Sequence, residues 1–299
     1  MADSVFGYQQ IFLPVFLKEE NTINIAIRSF SRSNEKCFLI VDPYNFKTSV
    51  KNIEQLIFRK PVNTNSNEPG YFSWEEIKNT PYVKTLFKYT SSDHYKIENA
   101  GLISFKNANG AFLTIDMCPS NNPFEKEFFA LLAKNNNNVP VAIAISGLWL
   151  ISHEKEFKWL LEQQSKGVFN ITWVNHSFSH IYLHDLPNEE NFLAFSLTNV
   201  NLELLETEKL LIENNQIPSV FFRFPGLVSN KRLMEELRGY GLIPLGAESW
   251  IAKNQPPSFT GDIILLHGNG NEPEGIRAIT PYINNPDNQW LSLCDDISS

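Results

Sequence analysis

The segment Val174-Asn175-His176-Ser177-Phe178-Ser179-His180-Ile181-Tyr182-Leu183-His184-Asp185 holds three of the chain's six histidines and continues an apolar run over residues 169–174. The aromatic and β-branched content of that run predicts a strand. His176 and His180 stand four residues apart, which predicts a shared face of a turn or helix, about 6 Å apart in rise. Two imidazoles so placed chelate one divalent ion. His184 lies about 12 Å along from His176 in an ideal helix, out of reach of the same ion unless the chain bends. Two ligands do not complete a metal site, so further donors are needed from elsewhere.

Working outward, similar apolar runs occur at residues 111–117, 140–145, 220–224, 242–245 and 263–267. Helical stretches lie between several of them, at 123–134, 153–164, 202–214 and 231–239, with Leu202, Leu205 and Ile212 showing the helical spacing. Alternating strands and helices predict an α/β fold with parallel strands covered by helices, either a barrel or a doubly wound sheet. Chemistry in both belongs where strands end and loops begin. Residues 1–100 read instead as an irregular α+β extension. They carry strands at 23–30 and 37–41, a polar connection at 61–70, and a helix signalled by Ser73-Trp74-Glu75-Glu76. The expected division is therefore 1–100 and 101–299. The asparagines at 135–138 predict a short polar linker.

Three more strand ends carry polar groups. Ala111-Phe112-Leu113-Thr114-Ile115-Asp116 ends on a carboxylate, and Ile263-Ile264-Leu265-Leu266-His267 ends on an imidazole. Val220-Phe221-Phe222-Arg223-Phe224-Pro225-Gly226 places an arginine among phenylalanines, where desolvation demands a carboxylate partner. Singly, such an Asp is most often a turn former and such a His a hydrogen-bonded surface residue. Four of these features on strand ends of one α/β unit point to a site.

Their order resembles the motifs of the polysaccharide deacetylases, the NodB-homology proteins or carbohydrate esterase family four. The match runs through Thr114-Ile115-Asp116, His176-Ser177-Phe178-Ser179-His180, Arg223-Phe224-Pro225-Gly226, Trp250 and Leu265-Leu266-His267. It covers roughly residues 101–299 and leaves the first hundred unexplained. The resemblance implies a distorted (β/α) barrel with one divalent metal, usually zinc, that removes N-acetyl or O-acetyl groups from sugars. It implies Asp116 as catalytic base, His176 and His180 as metal ligands, and Arg223 as the residue orienting the base. It further implies His267 as general acid, Trp250 as a wall beside that acid, and Gly226 as the backbone donor to the oxyanion. These roles make physical sense. The ion polarises the carbonyl and acidifies water, Asp116 takes a proton from that water, and His267 protonates the departing amine.

The sequence departs from the family at two places. The aspartate that completes the family's metal triad is replaced by Met117, a poor partner for zinc, followed by Cys118 and Pro119. A third ligand then comes from Cys118, from Asp116 itself or from His184-Asp185. The fourth motif, Gly246-Ala247-Glu248-Ser249-Trp250, keeps the tryptophan and lacks the aspartates, with Glu248 the nearest carboxylate. Three functional readings follow. The first is a metal-dependent hydrolase acting on an acetylated carbohydrate, with C–N amide hydrolysis ahead of ester hydrolysis. The second is a degenerate, glycan-binding relative without turnover. The third is hydrolysis of a non-sugar C–N bond.

Composition sets the outer limits. The 299 residues are 42% hydrophobic and 19% charged, which excludes a disordered chain. A net charge of −8 without a basic block argues against nucleic acid as a partner. No apolar run approaches the roughly 20 residues of a membrane span. The three cysteines are too few and too scattered for a disulfide scaffold, although one bridge stays open. Met1-Ala2-Asp3-Ser4 lacks the features of a signal peptide, so either a cytoplasmic protein or an exported chain already freed of its leader is expected. Of the 38 aromatic residues, Phe112, Phe128, Phe129, Phe169, Phe221 and Phe222 read as core. Trp250, Phe178, Tyr182 and Phe224 read as a surface for stacking on a sugar.

Overall fold

The alternation after residue 101 becomes one sheet of seven parallel strands, in the order 243–245, 218–223, 169–175, 139–145, 110–117, 260–267 and 249–250. The computed structural model describes residues 4–62, 71–106, 108–134 and 138–295. Before this sheet come β1 (Val5–Leu17), β2 (Ile23–Arg32), β3 (Glu35–Val41), β4 (Thr48–Asn52), β5 (Leu56–Ile57), β6 (Lys60–Val62) and β7 (Tyr71–Ser73). Helices α1 (Trp74–Lys78) and α2 (Pro81–Tyr89) complete this region. The parallel sheet is built from β8 (Gly110–Met117), β9 (Val139–Ile145), β10 (Phe169–Asn175), β11 (Pro218–Arg223), β12 (Ile243–Leu245), β13 (Ser249–Trp250) and β14 (Thr260–His267). Around it lie α3 (Lys126–Ala133), α4 (Gly147–Ser152), α5 (Glu154–Ser165), α6 (Val200–Glu213), α7 (Lys231–Tyr240) and α8 (Pro273–Ile283).

Every residue of β8 is buried, as expected of a central parallel strand covered on both faces. Its side chains alternate between two layers. Ala111, Leu113, Ile115 and Met117 join an apolar cluster with Phe128, Phe129, Trp149, Phe157 and Ile279 from the surrounding helices. Phe112 points the other way, into a cluster with Ile25, Phe30, Phe46 and Tyr82 from the first hundred residues. Among the described residues no eighth strand closes the barrel. Residues 102–105 bridge the gap, with Leu102 N–H donating to the Pro244 carbonyl and Phe105 N–H to that of Gly261.

The first hundred residues are more regular than expected. β1 to β5 form one antiparallel sheet in the order β4-β3-β2-β1-β5. The thirteen-residue β1 escapes a two-residue periodicity because its register with β2 slips twice, between Phe6 and Gln9 and between Gln10 and Leu13. The helix expected at 123–134 starts only at Lys126, and α8 was not anticipated. Of the connection at 61–70, residues 63–70 lie outside the described residues, as do 135–137 of the asparagine linker. Cys37, Cys118 and Cys294 are all free thiols, so the optional disulfide is not made. Among the described residues no helix is long and apolar enough to cross a membrane.

Candidate metal centre and active site

Parallel registration brings the polar strand ends to one level. Asp116 on β8 pairs with His267 on β14, and Asn175 at the end of β10 pairs with Phe222, one residue before Arg223. The carboxylate that Arg223 requires is Asp116, with Nη1 3.3 Å from Oδ1 and both side chains buried. Nη2 of Arg223 also donates to Thr114 Oγ1 at 2.8 Å, which fixes the guanidinium below the cleft. Asp116 Oδ2 lies 3.8 Å from His176 Nε2.

His176 and His180 do meet, with ring centroids 4.8 Å apart. Of the turn or helix expected to join them no helix forms: residues 176–180 make a bent loop in which Ser177 and His180 have φ of 64° and 49°. His176 Nδ1 lies 2.8 Å from the Arg223 carbonyl, so this nitrogen carries the proton and Nε2 keeps a free lone pair to offer a metal ion. That Nε2 is 3.4 Å from Cys118 Sγ. Ligand atoms of Cys118, His176 and His180 all lie within 4.8 Å of one another. His180 Nε2 is buried without a hydrogen-bond partner. An orphaned imidazole nitrogen, a second imidazole in the correct tautomer and a thiol form a donor set suited to zinc.

Of the three sources weighed for the third ligand, Cys118 is the one in this cluster. The strand's alternation explains why. Met117 turns into the helix-side apolar layer and is fully buried, and Cys118, one residue on, returns to the cleft. Burial alone would raise the Cys118 thiol, but His180 and His267 outweigh it and bring its pKa down to about 7. Burial lowers His176 below its ordinary value despite Asp116 nearby.

His267 is held by a residue the sequence did not single out. Glu272, just before α8, accepts from His267 Nδ1 at 2.8 Å and from Trp250 Nε1 at 2.9 Å. Glu248, the nearest carboxylate in the fourth motif, is exposed and lines a different cleft beside Ser104 and Lys106. Burial disfavours a charged His267, yet Cys118 and Glu272 hold its pKa well above the ordinary value. Burial would raise Glu272, but its bonds to His267 and Trp250 and the nearby Lys253 bring it below the usual carboxylate range.

The cleft has a volume of about 420 Å³ and takes in Asp116, His176, His180, Gly226, Trp250 and His267, with Arg223 behind them. Its aromatic walls are Trp250, Tyr182 and Phe192. Phe224 does not contribute, being buried in a separate cluster, and Phe178 packs against Gly147, where even a Cβ would come within 2.2 Å of its ring. Gly226 has a φ of 60°, and a Cβ there would meet the Phe192 ring at 2.4 Å, so glycine is required on both counts.

Comparison with known proteins agrees at the level of fold. Bacillus subtilis PdaA, a family 4 carbohydrate esterase, superposes with a TM-score of 0.50 at 17% identity, covering 72% of this chain and 88% of that one. A family 4 carbohydrate esterase from Bacillus anthracis gives a TM-score of 0.49 at 17% identity, over 74% of this chain and 93% of its own. A CE4 family pseudoenzyme from Bacillus anthracis gives 0.46 at 12% identity, over 72% and 81%. Residues 6–83 match the family model described as the RP012 protein N-terminal domain. The parallel-stranded part of the chain thus has the fold of the family 4 carbohydrate esterases, while residues 6–83 are similar to the RP012 protein N-terminal domain.

Proposed function

We propose that this protein is a metal-dependent hydrolase that removes acetyl groups from an acetylated carbohydrate, most readily from an N-acetyl amide. The observation that carries this reading is the convergence of Cys118, His176 and His180 beside the Asp116–Arg223 pair and the His267–Glu272 pair in one cleft. Cys118, His176 and His180 are the residues to hold the ion, and zinc is the metal their donor atoms favour. When bound, a divalent ion supplies Lewis acidity toward the acyl carbonyl and makes water more acidic. Asp116, held by Arg223, faces the same space and is the group to accept the proton of the attacking water. His267 is its counterpart as acid: Glu272 holds Nδ1, so Nε2 is the nitrogen to protonate the leaving amine. Gly226 lines the cleft and offers a backbone N–H to the developing oxyanion. Tyr182 and Trp250 provide faces for a sugar ring.

The test is acetate release from N-acetylated chitin oligosaccharides and peptidoglycan fragments by the zinc-loaded protein, with Asp116→Asn as the inactive comparison. Lack of zinc binding together with lack of acetate release would overturn the reading. A second reading, a glycan-binding relative without turnover, is favoured by the loss of the family's metal-ligand aspartate at Met117. Sugar binding without acetate release by the zinc-loaded protein would establish it.

A further inference from the structure

We propose that Glu203, on the first turn of α6, is the positioning residue for both histidines; this rests on the reading of Cys118, His176 and His180 as a metal site. The segment between the histidines belongs to no helix or strand, so its amides need partners from outside. Side chains supply all three. Ser177 N–H donates to Asn175 Oδ1 at 3.0 Å. Phe178 N–H and Ser179 N–H both donate to Glu203 Oε2, at 3.0 and 2.8 Å. Ser179 Oγ donates to Glu203 Oε1 at 2.5 Å. One helical turn on, Thr207 Oγ1 donates to the Ser177 carbonyl at 2.8 Å.

Three features make Glu203 more than an anchor for a loop. The carboxylate is only 5% exposed and, among the described residues, has no cationic partner. Its charge is instead carried by two amides, a hydroxyl and the N-terminal end of α6. A neutral group costs less to bury, so a loop that merely needed fastening would not require a charge. The loop it grips is bent through left-handed backbone at Ser177 and His180, a conformation that persists only where its surroundings impose it. That bend brings the His180 ring back over His176, with Nε2 free. An acceptor-only carboxylate suits this task. A glutamine would aim its NH₂ at one of the groups now donating to Glu203.

The experiment compares Glu203→Gln and Ser179→Ala with wild type and with Glu206→Gln, a control on the same helix paired with Lys209. Zinc affinity is read by competition with a chromophoric chelator. Cobalt(II) spectra report ligand geometry, and hydrogen exchange of residues 177–180 is followed in the metal-free protein. The expectation for Glu203→Gln is a zinc affinity about 10- to 100-fold weaker, an altered cobalt spectrum and faster exchange across the loop. Ser179→Ala should lose at least about twofold in affinity, and Glu206→Gln should match wild type. A folded Glu203→Gln with wild-type affinity and cobalt spectrum would overturn the proposal. Should Glu203→Gln not fold, Ser179→Ala decides by the same measurements. Should wild type take up neither zinc nor cobalt, the metal reading fails by itself, and exchange in the metal-free protein alone supports or overturns the clamp.

Discussion

Cys118 shows how a single side chain reshapes a site. It offers a thiol, at a pKa near 7, to the two imidazoles. Cys118→Ser is therefore expected to weaken zinc binding by more than about tenfold, measured by chelator competition, with little change in the unfolding midpoint of the metal-free protein. The His267–Glu272 pair makes a pH-dependent prediction for the metal-free protein. His267 is raised, so its contribution to stability is fully present below its unfolded pKa of about 6.5 and is lost as pH rises through the folded value. Glu272 is lowered, so its contribution is present above about pH 4.3 and is lost as pH falls through its folded value. The stability difference between wild type and Glu272→Gln should thus be largest between about pH 4.5 and 6.5, as checked by urea unfolding across that range. A difference that grew toward alkaline pH would contradict the pairing. Asp116, Arg223, His176, His180 and His267 were all legible in the sequence, because each ends or follows an apolar run. Glu272 and Glu203 were not. One stands in a polar turn and the other among many acids on an amphipathic helix, and only tertiary packing singles them out.

The element that decides the candidate metal site is β8. Its two-residue period sends Thr114, Asp116 and Cys118 toward the cleft side and Ile115 and Met117 into the helix-facing core. The Met117 sulfur and methyl also pack where a side chain at Gly268 would have to go. An aspartate at position 117 is what the resembled family carries there, but the strand geometry turns that side chain into the apolar layer, where it is a buried, unpaired charge. Met117→Asp is expected to destabilise the fold by about 3 kcal/mol or more by urea unfolding, without tightening zinc binding. A stable Met117→Asp protein with stronger zinc affinity would refute this reading of β8. The regular strands and helices after residue 101 were legible because parallel, fully buried strands are continuous apolar runs. The bulged β1 was not, since two slips in register erase the period that marks a strand.

On the scale of the molecule, the N-terminal sheet and the barrel are joined by a buried ion pair as well as by a shared core. Arg28 on β2 grips Glu208 on α6 with two bonds of 2.6 and 2.9 Å, and Tyr8 donates to the same carboxylate at 3.0 Å. Nη1 of Arg28 donates to the carbonyls of Ile27 and Tyr240. Arg28→Met leaves Glu208 buried without its partner and should cost about 3–5 kcal/mol, whereas Arg28→Met combined with Glu208→Leu should regain most of that loss. Calorimetry should show one unfolding transition for the whole chain, and residues 101–299 alone should bind a hydrophobic dye and lack a cooperative melt. Composition gave no hint of this, because an arginine on a strand looks the same whether its partner is near or 180 residues away. The shared core also bears on how such a protein is inherited. A recombination event that copies only residues 101–299 carries off a barrel with one apolar face stripped of its cover. The barrel is then not a free-standing cassette for gene shuffling, and its lineage is expected to travel with the N-terminal sheet attached.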